Sequence, residues 1–210
     1  MCKRALFLMF LSCCFAVIAS ADSVTYIFTV NTSSIAGTSG SLDLQFNPGV
    51  MSQAADASIL GFVTDGALGA PTTAGDVAGR LPGTVTFDNG TAFNDYFTGF
   101  TYGNALTFDL NLFGPALTSP DGLSTSGSAF AFSMFSDSAG TAPALTTDAI
   151  NSFAVTVDVN LDGTTTLHNF STETTVAAPL PTPEPGSLLL MCLGIAALGM
   201  KRIIRRVAHA

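Results

Sequence analysis

Apolar and polar residues alternate with a period of two along most of the middle of the chain. At the start of this region residues 24, 26, 28 and 30 are apolar, whereas Thr25 and Thr29 between them are polar. A period of two is typical of a β-strand that is buried on one face. The pattern predicts strands at residues 24–30, 42–46, 59–63, 84–87, 97–102, 106–112, 129–135, 153–159 and 164–170.

Turn-forming residues separate these predicted strands. Combinations of Gly, Pro, Asn and Asp stand at residues 47–49, 81–83, 88–90, 120–122 and 162–163. The region shows no apolar period of 3.6 residues and no repeat of fixed length. Many short strands joined by turns predict an all-β fold, an antiparallel β-sandwich or jelly-roll-like ectodomain over residues 22–176.

The N-terminal segment, residues 1–21, has the three parts of a secretory signal peptide. Lys3 and Arg4 precede an apolar run, and Ala19 and Ala21 form an A-x-A cleavage site. We therefore expect signal peptidase to cut before Asp22. An uncleaved membrane helix is an alternative, although the run is shorter than a membrane span. A lipoprotein modified at Cys13 or Cys14 is a further alternative, which the residues before that pair fit poorly.

The C-terminal segment has a proline-rich linker, an apolar run and a basic tail. The linker covers residues 177–185, the apolar run 186–200 and the tail 201–210. A helix over the apolar run would be about 22 Å long, shorter than the roughly 30 Å hydrocarbon core of a bilayer. The pattern predicts a short transmembrane sorting helix whose basic tail stays in the cytoplasm.

This arrangement resembles the PEP-CTERM sorting signal of Gram-negative bacteria that produce exopolysaccharide. The resemblance covers residues 181–206 and rests on Pro183, Glu184 and Pro185, followed by the apolar run and the basic tail. It implies recognition by an exosortase, cleavage near the Pro-Glu-Pro motif and only transient contact with the inner membrane. An ordinary single-pass anchor with a proline-rich stalk is the alternative.

The ectodomain also resembles a group of PEP-CTERM proteins to which no activity is assigned. The matching stretches are residues 28–33, 81–85, 93–97 and 162–166. This second resemblance implies a stand-alone secreted β domain and supplies no reaction.

Composition and the positions of the cysteines exclude several classes of protein and kinds of site. The chain is 48% hydrophobic, 10% charged and has a net charge of −8, which disfavours both disorder and nucleic-acid binding. All four cysteines, at positions 2, 13, 14 and 192, lie outside residues 22–176. Disulfides, thiolate zinc sites and thiol catalysis are therefore excluded for the predicted ectodomain.

The acidic stretch at residues 158–163 suggests a calcium-binding loop. Asp158, Asn160, Asp162 and Gly163 match the first half of an EF-hand loop, but the twelfth position holds Asn169 instead of Glu. An Asp-Gly pair between two alternating runs is also a strong signal for a β-hairpin. We therefore expect a hairpin and no cofactor, with calcium kept as the alternative.

The densest aromatic cluster, residues 93–102, suggests carbohydrate contact through Tyr96 and Tyr102. A buried core strand explains the same residues.

His168 is the only histidine in the ectodomain and has no nucleophile motif nearby, so catalysis by a Ser–His–Asp arrangement is disfavoured. Glycoside hydrolysis by a pair of Asp carboxylates stays an alternative, because residues 22–176 contain thirteen Asp residues. The sequence singles out no particular pair.

We therefore expect a secreted, non-enzymatic protein at the outer surface or in the extracellular matrix of a Gram-negative bacterium. Its expected role is that of a structural or adhesive component of an exopolysaccharide or biofilm matrix. The alternatives are a glycan-active hydrolase that uses two Asp carboxylates and a calcium-stabilised carbohydrate-binding module.

Overall fold

The computed structural model describes residues 23–177, which fold into two antiparallel sheets of six strands each. The first sheet contains β1 (Ser23–Asn31), β3 (Asp56–Thr64), β5 (Val77–Gly79), β6 (Val85–Asp88), β8 (Ala105–Phe113) and β12 (Thr174–Ala177). The second sheet contains β2 (Ser39–Pro48), β4 (Ala67–Ala74), β7 (Asp95–Thr101), β9 (Ser128–Phe135), β10 (Phe153–Val159) and β11 (Thr165–Asn169). A 3-10 turn (Ser33–Ile35) and a one-turn helix, α1 (Pro115–Thr118), are the helical elements of this region.

The strand order shows how often the chain changes sheet. The orders are β12-β1-β8-β3-β6-β5 and β11-β10-β9-β2-β7-β4. Few neighbours within a sheet are consecutive in sequence, so most connections cross from one sheet to the other. The prediction of an all-β antiparallel sandwich is confirmed.

The core lies between the two sheets and consists largely of aromatic rings. Phe28 on β1 stacks on Phe108 on β8, with ring centroids 4.5 Å apart. From the second sheet Phe130 and Phe132 meet Phe28 edge to face, at 6.0 and 6.4 Å. All four rings are at most 1% exposed. This interlocked cluster is what holds the sandwich together without a disulfide.

All nine predicted strands are present, and three further strands were missed. The missed strands β4, β5 and β12 all lie at sheet edges. In β4 seven of eight residues are small or polar, and Pro71 lies within it, as an edge strand tolerates. With both faces largely exposed, β4 carries no alternation that a sequence pattern could show.

The two ends of the sandwich differ in what they carry. Ser23 and Asp56 both pair with Phe113, and Asn89 Nδ2 donates across the sheets to Ser128 Oγ at 2.8 Å. We call this end, where β1 begins, the proximal end, and the opposite end distal. The proximal end carries the loops 49–55, 75–76, 89–94, 114–127 and 160–164, and the distal end carries the loop 136–152.

Candidate functional site

A groove on the outer face of the first sheet, within residues 23–177, brings several acidic side chains together. Register places Asp56 of β3 directly between Phe113 of β8 and Asp88 of β6. All three side chains lie on the outer face, since the next residue on each strand faces the core and is buried: Leu112, Ala57 and Phe87. The groove has a volume of about 420 Å³.

The turn between β4 and β5 closes one side of the groove. The backbone N–H of Asp76 donates to Asn94 Oδ1 at 2.7 Å, and the Asp76 carbonyl accepts from the N–H of Asp88 at 3.1 Å. Asn94 is fully buried and donates from Nδ2 to the carbonyl of Phe46 at 2.9 Å. The turn that carries Asp76 is therefore anchored to the core.

The carboxyl groups of Asp56, Asp76 and Asp88 line the groove and make it acidic. Partial burial, and then the charge of Asp88, raise the pKa of Asp56 above its usual range. Asp88 Oδ1 accepts the backbone N–H of Gly90 at 2.6 Å. A Cβ on Gly90 would lie 3.1 Å from that oxygen and 3.0 Å from Asp76 Oδ2, so the two carboxyl groups approach the same point. With the Thr86 hydroxyl and the partly exposed ring of Phe113, the groove offers hydrogen-bond acceptors beside an apolar face, which suits a saccharide.

A second acidic pair lies within the other sheet and was missed by the sequence analysis. Asp43 on β2 and Asp95 on β7 are diagonal neighbours on its outer face, since Asp43 pairs with Phe97 and Asp95 with Gln45. Their carboxyl groups lie within hydrogen-bond reach of each other. Oδ1 of each is buried and receives no N–H or O–H donor from the described chain. Gln45 donates from Nε2 to Asp43 Oδ2 at 2.9 Å. One proton held between the two carboxyl groups would satisfy both oxygens.

The loop after β9 covers this part of the second sheet. Ser41 Oγ donates to the carbonyl of Asp137 at 2.8 Å, and Gly140 lies against the ring of Phe97. A Cβ on Gly140 would be 2.9 Å from that ring, and its φ of +70° also favours glycine. Burial, then the hydrogen bond and the charge of Asp95, raise the pKa of Asp43 to about 8. The two Oδ1 atoms are therefore buried although both residues keep part of their surface exposed.

Comparison with known proteins identifies the C-terminal segment. Residues 181–206 match the family model described as the PEP-CTERM protein-sorting motif. The chain carries a PEP-CTERM sorting signal. The motif implies processing by an exosortase and supports export to the cell envelope or surface. No curated protein and no solved structure shows significant similarity to the chain.

The residues predicted to direct processing lie outside the described part of the chain. They are Ala19, Ala21, Pro183, Glu184 and Pro185. The predicted sorting helix at 186–200 lies outside it as well. Within residues 23–177, no helix is long and apolar enough to cross a membrane.

The two tyrosines predicted as carbohydrate contacts are core residues, which corrects that prediction. Tyr96 is 1% and Tyr102 is 2% exposed. The Tyr96 hydroxyl accepts the N–H of Leu81 at 3.0 Å, and the Tyr102 hydroxyl lies 2.9 Å from the carbonyl of Phe135. Burial raises the pKa of Tyr102. Neither ring offers a face to a sugar, because both point between the sheets.

The residues proposed for calcium form the β10–β11 hairpin. Asp158 Oδ2 lies 3.4 Å from His168 Nε2 on the outer face, whereas Asp162 Oδ1 accepts the N–H of Thr164 at 3.0 Å. Asn160 donates from Nδ2 to Thr164 Oγ1 at 3.0 Å. These side chains are engaged in different contacts. Nowhere in the part of the chain described here do three His, Cys, Asp or Glu side chains form a group that could hold a metal.

We expect EDTA and added calcium to leave the melting temperature of the protein unchanged. Asn160→Ala is expected to lower the free energy of unfolding by about 1 kcal/mol, because the turn loses its side-chain hydrogen bonds. Thermal melts of both proteins with 1 mM EDTA and with 5 mM CaCl₂ test this. A rise of several degrees on calcium addition that Asn160→Ala abolishes would instead support the calcium-stabilised module.

Proposed function

We propose that this PEP-CTERM protein is a non-enzymatic structural or adhesive component of an exopolysaccharide or biofilm matrix of a Gram-negative bacterium. The sorting motif carries the proposal, because it directs the chain to the envelope or surface. Residues 23–177 form a compact unit, which suits a module that works outside the cell. Signal peptidase and exosortase act on the chain as processing enzymes, and the polysaccharide is its partner.

The groove supplies a contact for such a partner. Asp56, Asp76 and Asp88 accept hydrogen bonds from sugar hydroxyl groups, and the ring of Phe113 packs against the apolar face of a pyranose. Arg80 is the only Lys or Arg between residues 23 and 177, against thirteen Asp and Glu residues. Such a surface repels polyanions, so we expect a neutral or amino-sugar polysaccharide.

The test is co-sedimentation of the purified protein with the exopolysaccharide of its own producing cells. Phe113→Ala is expected to weaken association about fivefold, from the loss of roughly 1 kcal/mol of ring contact. Phe93→Ala is the matched control, since Phe93 is 52% exposed on a loop outside the groove. Asp88→Asn is a second groove variant that keeps the side-chain volume.

Melting temperatures of all three variants show whether a loss of binding is a loss of folding. No association of the wild-type protein with the polysaccharide, together with no matrix phenotype on deletion of the gene, would contradict the proposal.

A glycan-active hydrolase is the second candidate, and the carboxyl groups of the groove favour it. Glycosidases use one carboxylic acid with a raised pKa and a second carboxylate. Asp56 has the raised pKa, and Asp88 lies directly beside it. Release of reducing ends from the polysaccharide by the wild-type protein, abolished in Asp56→Asn, would establish this activity and overturn the non-enzymatic proposal.

A further inference from the structure

Two carboxyl groups of the groove stand directly opposite each other in the first sheet. Asp56 on β3 is the register partner of Asp88 on β6. Like charges in this position destabilise a sheet. The one ion pair among residues 23–177 joins His168 to Asp158 on the other sheet, so no basic side chain of this region offsets the repulsion. A local conflict of this kind is typical of a binding site that a ligand completes.

A third carboxyl group reaches the same place from the turn between β4 and β5. Asp76 Oδ2 and Asp88 Oδ1 approach one point beside Gly90. The turn is fixed, because its Asp76 N–H donates to the buried Asn94 side chain at 2.7 Å. A primary ammonium group has three N–H donors and a positive charge, and its hydrogen bonds to carboxylates are among the strong ones. The groove therefore has the acceptors and the charge that an ammonium group requires.

An aromatic ring lies in the same row as these carboxyl groups. Phe113 on β8 pairs with Asp56 from the side opposite Asp88, so the three residues follow one another across neighbouring strands. Neighbouring strands are about 4.8 Å apart, which places the ring one step from the first carboxyl group and two steps from the second. A pyranose packed on Phe113 would therefore reach Asp56 with a substituent of its own ring. This spacing fits a saccharide whose positive charge is attached directly to the sugar ring.

We infer that the groove selects amino sugars with a free, protonated amine and discriminates against their N-acetylated counterparts. The sugar packs on Phe113, and its ammonium group donates to Asp56 and Asp88, while Asp76 adds negative charge. An N-acetyl group removes the positive charge and adds an acyl group, so an acetylated polymer loses these contacts. The inference rests on the proposed polysaccharide binding, because it names the class of sugar that the same groove takes.

The experiment uses the full chain in a neutral detergent and two soluble hexasaccharides, one of glucosamine and one of N-acetylglucosamine. Titration calorimetry at pH 6 is expected to show about tenfold tighter binding of the glucosamine hexamer. Asp88→Asn is expected to remove most of this preference, because it keeps the side-chain volume and loses the charge. Phe113→Ala is expected to weaken binding of both hexamers alike, because the ring contact does not depend on the amine.

Asp109→Asn is the matched control for the charge. Asp109 lies on the outer face of the same sheet, opposite Ile27 and Leu60, and does not line the groove. This variant is expected to keep the wild-type preference. If it loses as much preference as Asp88→Asn, the selectivity comes from the overall negative charge of the protein and the inference is overturned.

The wild-type titrations decide the inference independently of any variant. Equal affinity for the two hexamers, or no binding of either, would overturn it. Co-sedimentation with the polysaccharide of the producing cells is measured on the same preparation. Failure of that association contradicts the proposed function, whereas equal affinity for the hexamers contradicts only the choice of sugar.

Discussion

The protein is expected to lose stability as the pH rises from 5 to 9, and Asp43→Asn is expected to remove most of that loss. The folded protein keeps a proton on Asp43 up to a pKa of about 8, whereas an unfolded Asp titrates near 4. Between these values the folded state binds one proton more than the unfolded state. The free energy of unfolding therefore falls with rising pH, by up to about 1.4 kcal/mol per pH unit.

The direction of this pH dependence, and the pH range over which it occurs, follow from the raised pKa of Asp43. The stabilising contribution is complete below pH 4 and is lost as the pH rises through about 8. Asparagine at position 43 is neutral at every pH and can donate a hydrogen bond to Asp95, so the variant should match the wild type at pH 5 and exceed it at pH 9. Urea denaturation at pH 5, 7 and 9 measures the effect.

Asp65→Asn is the matched control for this experiment. Hydrogen bonds from the side chain and the backbone of Asn104, and from the backbone of Ala105, lower the pKa of Asp65 to about 2. Its contribution is present above pH 4 and is lost as the pH falls through about 2, so the variant should keep the wild-type slope between pH 5 and 9. If Asp43→Asn also keeps that slope, the pKa of Asp43 is not raised in the folded protein and the proposal fails.

The sequence pattern predicted which residues face the core because strand alternation is a local property. Residues 24–30 alternate, and Tyr26, Phe28 and Val30 are indeed buried while Ile27 is exposed. The edge strands could not be predicted in this way. β12, for example, presents Thr175 and Ala177 to solvent and has only four residues.

Neither acidic site could be predicted from local pattern. Asp56, Asp88 and Phe113 are far apart in the chain and meet only because β3 pairs with both β6 and β8. Strand order is set by packing of the whole sandwich, and no short segment encodes it. For the same reason the sequence could not show that Asp43 and Asp95 are neighbours.

The aromatic cluster at residues 93–102 shows a different limit of sequence patterns. The pattern correctly predicted a strand there, but the carbohydrate contacts proposed at Tyr96 and Tyr102 were wrong. Alternation in residues 95–101 allowed the aromatic face to point inward or outward. In the structure Tyr96 and Phe100 point inward, so the polar Asp95 is left on the outer face. A domain without disulfides depends on its hydrophobic core, so its aromatic residues are used there rather than on the surface.

Phe28→Ala is expected to destabilise the protein by about 3 to 5 kcal/mol, whereas Ile27→Ala is expected to cost less than about 1 kcal/mol. The two residues are adjacent on β1 but point to opposite faces. Phe28 is 0% exposed and packs against three other phenylalanine rings, whereas Ile27 is 51% exposed. Urea denaturation of both variants at pH 6 measures the difference.

The size of this effect has a consequence for secretion. A domain is typically stable by only about 5 to 15 kcal/mol, and residues 23–177 contain no cysteine that could compensate through a disulfide. Phe28→Ala should therefore unfold near physiological temperature and fail to accumulate outside the cell, while Ile27→Ala accumulates normally. Similar losses of stability in both variants would mean that the contact between the two sheets does not limit stability, and that the outer face of β1 is covered in the native protein.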